Sequence, residues 1–170
     1  MSDYPESLRE ILRQDKDLVV LFDYVKKLDP DVILELGVRG GYSTEVFLTA
    51  GCNKLISVDI NDYPLTRTRL GKFGNWEFIV QDDREYLKHV NYKPDIIFID
   101  TSHKTDHTYY EICQSVKLLS TFGIILLHDT ISYKHEVMKA IEMFILANID
   151  KWTFTELGSH NGMGLIKRKY

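Results

Sequence analysis

The apolar positions of this chain change their period partway along. Between Ser7 and Lys27, the residues Leu8, Ile11, Leu12, Leu18, Val19, Leu21, Phe22 and Val25 stand mostly at helical spacing. That spacing predicts an N-terminal helix, closed by Asp29-Pro30. From residue 32 the pattern is different. Val32-Ile33-Leu34-Glu35-Leu36 is an apolar run broken only by Glu35, which reads as a strand buried on both faces. A turn over Gly37 to Gly41 follows, and a helix starts at Tyr42. Further strands are predicted over 55–58, 76–80, 95–99 and 124–127, with helices over 63–70, 83–89, 105–119 and 133–147.

Strands that alternate with helices indicate βαβ units and a parallel sheet. The last stretch departs from this. Residues 152–157 and 163–167 read as two strands, joined by Gly158-Ser159-His160-Asn161-Gly162 as a short hairpin loop. The expected fold is therefore α/β and Rossmann-like: a doubly wound, mostly parallel seven-stranded sheet with a terminal antiparallel hairpin and helices on both faces. A chain of 170 residues suits one domain. Residues 1–28 form its helical lead-in and 31–168 its core, without internal repeat or linker.

Composition narrows the partners. The chain is 44% hydrophobic and 27% charged, ordinary for a globular protein. Its formal net charge of -4 argues against a nucleic-acid partner, which needs a basic face; Lys167-Arg168-Lys169 is too short to alter that. Cys52 and Cys113 lack the spacing of a disulfide framework or a metal site and read as reduced structural thiols. The start, MSDYPESL, carries no secretory pattern, and no apolar run nears the roughly 18 residues of a membrane helix. A cytoplasmic protein without a membrane partner is expected.

Chemistry gathers at the ends of the strands, where ligands of doubly wound sheets sit. Four predicted strands end in polar residues: Glu35, Asp59, Asp100 and His128-Asp129. After the first comes Gly37-Val38-Arg39-Gly40-Gly41, whose glycines permit tight turning and close backbone approach to a ligand. The spacing does not match the G-x-G-x-x-G dinucleotide fingerprint, which weakens a pyrophosphate cradle. Asp59, about twenty residues beyond, can accept both hydroxyls of a ribose. That suits NAD as well as S-adenosylmethionine (SAM). A plain βα turn at 37–41 and a helix-capping Asp59 are the bland alternatives.

Val32-Ile33-Leu34-Glu35-Leu36-Gly37 followed by Gly40-Gly41-Tyr42-Ser43-Thr44 resembles the first motif of class I SAM-dependent methyltransferases, in the form found in catechol and caffeoyl-CoA O-methyltransferases. Val80-Gln81-Asp82-Asp83-Arg84-Glu85 resembles the family's third-strand motif, with Gln81 where the family usually has Gly. Asp95 to Asp100 and Gly123 to Thr130 resemble the motifs of strands four and five. Asn161-Gly162-Met163-Gly164 resembles the bacterial branch that includes macrocin O-methyltransferase and cephalosporin hydroxylase-like proteins. The resemblance runs from about residue 31 to 168. It implies that Glu35, Gly37, Gly41, Tyr42 and Ser43 face the methionine part of SAM, that Asp59 holds the ribose, and that Asp82 and Asp83 lie near the adenine.

A second constellation stands at Asp100, His103, His128 and Asp129. Asp100 and Asp129 end strands expected to be neighbours, about 4.8 Å apart, and two carboxylates there can converge on a hard cation such as Mg²⁺ or another divalent ion. Such an ion lowers the pKa of a bound hydroxyl. The resemblance implies the same, since the matching aspartates of the metal-dependent members are ligands, although Thr130 stands where an Asn ligand is usual. His128 is a third candidate ligand, provided the strand has already turned there, because successive strand side chains point to opposite faces. The alternative is that Asp100 and Asp129 cap helices without metal. His103 stands where catechol O-methyltransferase has its catalytic Lys, so Asp100 and His103 are the candidate catalytic pair, His103 as the base. His107 and Tyr109 are expected along the pocket; His89, His135 and His160 in solvent; Trp76, Phe78, Phe98, Trp152 and Phe154 in the core.

The expected activity is methyl transfer from SAM to a hydroxyl of a small molecule: a sugar, a phenol or a natural product. Asp100-Thr101-Ser102-His103 does not match the Asn-Pro-Pro-Tyr of N-methyltransferases. No lid domain is expected, which leaves an open acceptor site or one completed by a second subunit in a homodimer. An NAD-type oxidoreductase and a non-catalytic SAM-binding subunit are the competing readings.

Overall fold

The computed structural model describes residues 4–158 and 160–169. Met1 to Asp3 of the opening segment and Ser159 of the hairpin loop lie outside the described residues. The chain order is a 3₁₀ turn at Glu6–Leu8, α1 (Arg9–Gln14), α2 (Lys16–Leu28), β1 (Val32–Leu36), α3 (Tyr42–Ala50), β2 (Lys54–Asp59), α4 (Pro64–Leu70), β3 (Trp76–Val80), α5 (Asp83–Leu87), β4 (Ile96–Ile99), α6 (Thr105–Leu118), β5 (Ile124–His128), a π-helical turn (Lys134–Met138), α7 (Lys139–Ala147), β6 (Trp152–Glu156) and β7 (Met163–Arg168).

The seven strands form one sheet in the order β3-β2-β1-β4-β5-β7-β6. β1 to β5 pair in parallel, while β7 runs antiparallel to both β5 and β6. Strand order reverses between β1 and β4, the switch point at which such sheets bind ligands. The Rossmann-like expectation and the terminal hairpin both hold.

The apolar runs explain the layers. Side chains alternate across β1, β2, β4 and β5, so each strand feeds two cores. Ile33, Leu55, Ile96, Phe98 and Leu126 pack with Leu18, Leu21, Phe22 and Val25 of α2 and with Val46 and Phe47 of α3. Leu34, Val58, Ile97, Ile99 and Leu127 pack on the other face with Ile112 of α6 and with Ile141 and Phe144 of α7. Each such side chain contributes roughly 1.5–3 kcal/mol. The Phe47 and Phe98 rings meet edge to face at 5.5 Å, fixing α3 on the sheet.

Two helical expectations are corrected. The N-terminal helix is broken at Asp15, which is extended (φ -131°, ψ 107°) and caps α2 by accepting the Asp17 amide. The short carboxylate competes with the helix backbone and starts a new helix. The helix expected over 133–147 opens with the π-helical turn, and only 139–147 is α.

Candidate active site

Sheet register brings the polar strand ends together. Leu36 lies beside Val58 on one side and Ile99 on the other, so Gly37, Asp59 and Asp100 leave the sheet in a row. Ile99 pairs with Leu127, which places His128 and Asp129 next to Asp100.

The glycine turn is held from several sides. Gly37 has φ +93°, and a Cβ on it would lie 1.9 Å from the Asp100 carbonyl oxygen. Only glycine allows β1 to leave the sheet this close to β4. Gly41, at φ +69°, is the N-cap of α3. Asp59 Oδ2 accepts the Val38 N–H at 2.8 Å, and its Oδ1 accepts the Asn61 N–H at 2.9 Å. Thr66 donates to the Arg39 carbonyl at 3.1 Å, and Arg69 donates to the Gly40 carbonyl at 2.6 Å while pairing with Glu45.

Glu35 is a correction. It was expected to face the ligand, but it is fully buried beneath the turn. It accepts hydrogen bonds from Ser43 (2.6 Å), Thr44 (2.8 Å) and Ser57 (2.5 Å). Burial pushes its carboxyl up to about 7. Its work is to tie the first turn of α3 to β1 and β2.

Two cavities open over these strand ends. The first, of about 310 Å³, is lined by Gly37, Asp59, Asn61, Asp82, Asp83 and His107 among others. The second, of about 440 Å³, lies across the turn against Asp15, the N-cap of α2, and Leu18 of α2, with Gly40, Tyr42, Ser43 and His128. Arg39 and Asp100 line both. Gly41 lines neither and acts through the backbone of α3.

At the far wall of the first cavity, Asp82 caps α5, accepting the Arg84 and Glu85 N–H groups at 2.9 and 3.4 Å. Asp83 lies 2.9 Å from His107 Nε2. Behind them Glu111 is fully buried and accepts from Thr101 at 2.9 Å. Burial holds the Glu111 carboxyl well above the ordinary range. Tyr109, expected along the pocket, packs instead against the core.

Beside the second cavity, the acid and imidazole groups form a tight cluster. His103 Nε2 lies 3.1 Å from Asp100 Oδ1 and 2.9 Å from Asp129 Oδ2. His128 Nδ1 lies 3.6 and 3.4 Å from the same two oxygens. Asp129 has φ +63°, so the chain has turned left-handed at the end of β5. The condition for His128 and Asp129 to face one point is therefore met. The His103 ring stacks on Tyr133 at 4.4 Å.

The charges in this cluster are interdependent. Hydrogen bonding to Asp100 and Asp129 raises His103 to about 9. His128 is raised to about 12, the surrounding Asp100, Asp129 and Asp17 outweighing its burial. Asp100 and Asp129 are both lowered, their histidine partners overcoming a burial that acts the other way. At neutral pH both His103 and His128 therefore favour the imidazolium form beside the two carboxylates.

The donor set fits a divalent cation. Asp100, His103 and Asp129 each offer a ligand atom, all within 4.8 Å of one another. His128 Nδ1 is buried beside them without a hydrogen-bond partner, and loss of its proton would free a lone pair for a cation. Thr130 is not part of the set: it is buried and donates to Glu156 at 2.7 Å, facing the hairpin. His89, His135 and His160 are exposed, as expected.

Asp17, Glu111 and Tyr133 were not singled out from the sequence. Asp17 offered one signal, an acid on the apolar face of a helix beside Leu18 and Leu21.

The molecule matches known proteins as follows. A family described as a methyltransferase domain matches residues 34–130, the segment that carries every strand end described above. A curated protein of Archaeoglobus fulgidus, named as a probable cobalt-precorrin-6B C(15)-methyltransferase (decarboxylating), is 29% identical over 100 residues, covering 59% of this chain and 59% of that protein's own length. Among solved structures, the O-methyltransferase TomG of Streptomyces achromogenes, involved in tomaymycin synthesis and bound to SAM, superposes with a TM-score of 0.76 at 18% identity, over 91% of this chain and 80% of that one. An O-methyltransferase of Bacillus cereus in complex with S-adenosylhomocysteine (SAH) gives 0.72 at 18% identity, over 91% and 81%. These structural likenesses carry the fold. No helix among the described residues is long and apolar enough to cross a membrane.

Proposed function

The chain belongs to the methyltransferase-domain family, and from that premise we propose that it transfers the methyl group of SAM to a hydroxyl of a small molecule, with a divalent cation held beside the transfer point by Asp100 and Asp129. One observation carries this reading: Asp100 lines both cavities and is also a member of the acid-imidazole cluster. A donor spread across the two cavities passes Asp100, and an acceptor on the cluster meets it there.

The residues divide the work. Asp59 and Asn61, on the wall of the first cavity, suit the ribose, and Asp83 with His107 suits the adenine end. Tyr42 and Ser43, at the start of the nine-residue helix α3, suit the methionyl carboxylate, since a helix N-terminus favours an anion. Asp100 places negative charge close to the sulfonium. His103 is the side chain placed to take the acceptor's proton, which it does from its neutral form. Asp100, Asp129 and His128 would hold the cation, which would supply positive charge that lowers the acceptor hydroxyl's pKa and would relieve His103 of balancing the two carboxylates. Positioning provides much of the remaining rate.

A second, cation-independent reading has its own observation. The His103 imidazolium already bridges Asp100 and Asp129 and can fill the place of a metal. The deciding experiment is transfer of radiolabelled methyl from SAM over a panel of sugars, phenols and polyketide alcohols, with Mn²⁺, Mg²⁺ or EDTA. Label in a hydroxyl product that disappears with EDTA supports the cation. Label that survives EDTA supports the imidazolium. Label on carbon or nitrogen overturns the hydroxyl reading, and no label on any acceptor favours a binding subunit.

A further inference from the structure

The N-terminal helix reaches into this cluster through one side chain. Asp17, in the first turn of α2, is fully buried on the helix face that also buries Leu18, Leu21 and Phe22. A leucine there would simply continue that apolar face. A buried carboxylate costs several kcal/mol unless it is paired and hydrogen-bonded, and the partners of Asp17 come from far along the chain. Its Oδ2 accepts from His128 Nε2 at 3.1 Å and from the Asn161 amide at 3.0 Å. The Asn161 carbonyl in turn accepts the Ile131 and Ser132 amides, each at 2.9 Å. Helix α2, the end of β5 and the terminal hairpin therefore meet at one carboxylate.

We infer that Asp17 is a positioning residue for the transfer reaction: it holds the proton of His128 on Nε2 and turns the ring so that Nδ1 faces Asp100 and Asp129. The imidazole has only two nitrogens, and engaging one settles what the other presents. With Nε2 donating to Asp17, Nδ1 is left at 3.4 Å from Asp129 and 3.6 Å from Asp100, buried and without a hydrogen bond. The pairing also explains the Asn161-Gly162 pair of the hairpin. Gly162, at φ +99°, packs so closely on the turn after β5 that a Cβ would lie 2.3 Å from the Ile131 amide nitrogen. That fit lets Asn161 share the Asp17 oxygen. The orienting role extends the proposed cation site, and it rests on that reading only for what Nδ1 binds.

The test is nitrogen-15 NMR of the full chain labelled at histidine, with His128→Gln assigning the resonances. In the wild type, His128 is expected to carry a slowly exchanging Nε2 proton, lost or shifted strongly in Asp17→Ala. Asp17→Asn keeps an acceptor oxygen and the side-chain volume, and is expected to restore that signal. Zn²⁺ added to the wild type is expected to move the Nδ1 resonance and leave the Nε2 proton in place. With an acceptor in hand, Asp17→Ala lowers kcat by about 10–100-fold, the scale of an outer orienting partner, with little change in KM for SAM, and Asp17→Asn recovers most of the loss. An Nε2 without a proton in the wild type overturns the assignment even if Asp17→Ala does not fold. So does a His128 spectrum that ignores Asp17→Ala. If Nδ1 ignores Zn²⁺ while the Nε2 proton still depends on Asp17, the cation reading fails and the orienting role stands.

Discussion

The two halves of the site are built by different means. The proposed donor side rests on regular structure: β1, β2 and β4 end in register, and Gly37, Asp59 and Asp100 emerge in a row because the sheet places them so. The proposed acceptor side rests on exceptions. His103 and Asp129 both have positive φ without being glycine, and the imidazole of His128 is held by a helix more than a hundred residues earlier. A surface built from strand ends tolerates a change in a side chain that lines it, though not at Gly37, where a Cβ would meet the Asp100 carbonyl. A cluster held by mutually dependent charges does not, and variants of each half sharpen or break that contrast.

The largest effect is expected where the halves touch. Gly37→Ala drives a Cβ into the Asp100 carbonyl and is strained at φ +93°. Binding of SAH is expected to weaken by at least about 3 kcal/mol, read by calorimetry, with circular dichroism checking the fold. Near-normal affinity in a folded variant contradicts the close passage of β1 and β4. Next comes Asp129→Ala, which removes one carboxylate of the cluster and leaves the first cavity intact. Turnover is expected to fall about 10²-fold, the scale of losing one charge-stabilising group at a reaction centre, while SAH affinity changes less than about twofold. A parallel loss of SAH binding would mean that the two halves are not separable.

Glu35 gives a pH test of the donor side. Its carboxyl is held near 7 in the folded chain against an ordinary 4.5, so between those values the folded state holds the proton more tightly than the unfolded one. Stability therefore falls as pH rises through this window and levels off above it, by about 3 kcal/mol in all. Glu35→Gln lacks this slope. Urea unfolding of both proteins at pH 5 and pH 8 is expected to show their difference shifting in favour of Gln at the higher pH. A difference independent of pH contradicts the buried, protonatable Glu35. The smallest effect is expected at Asp59→Ala, about 10-fold weaker SAH binding from one lost charged acceptor. Unchanged affinity removes Asp59 from the donor site.

The same contrast sets what could be read from the sequence. The mostly parallel sheet, the terminal hairpin and the strand-end places of Gly37 and Asp59 follow from apolar runs and from what stands at their ends, which are local signals, whereas Asp82 and Asp83 were marked only by the family resemblance. Glu35 was placed on the right strand, but its orientation depends on which hydroxyls reach it from α3 and β2. The acid-imidazole cluster was legible as a set of residues, because Asp100 and Asp129 end adjacent strands. Its geometry was not, since a left-handed Asp129 leaves no mark in residue types. Asp17 was passed over for a related reason: an acid in a first helical turn looks like a favourable end charge, and its partners His128 and Asn161 are brought to it only by the folded sheet. The break at Asp15 was missed because helical spacing continues on both sides of it.

The most direct test of the account is calorimetric titration of the purified chain with SAH, with and without Mn²⁺. The account predicts saturable one-to-one binding in the micromolar range in both conditions, with Mn²⁺ producing its own heat that is absent from Asp129→Ala. No SAH binding in either condition would contradict it, because the family fold would then be present without the donor site that its strand ends are read to form.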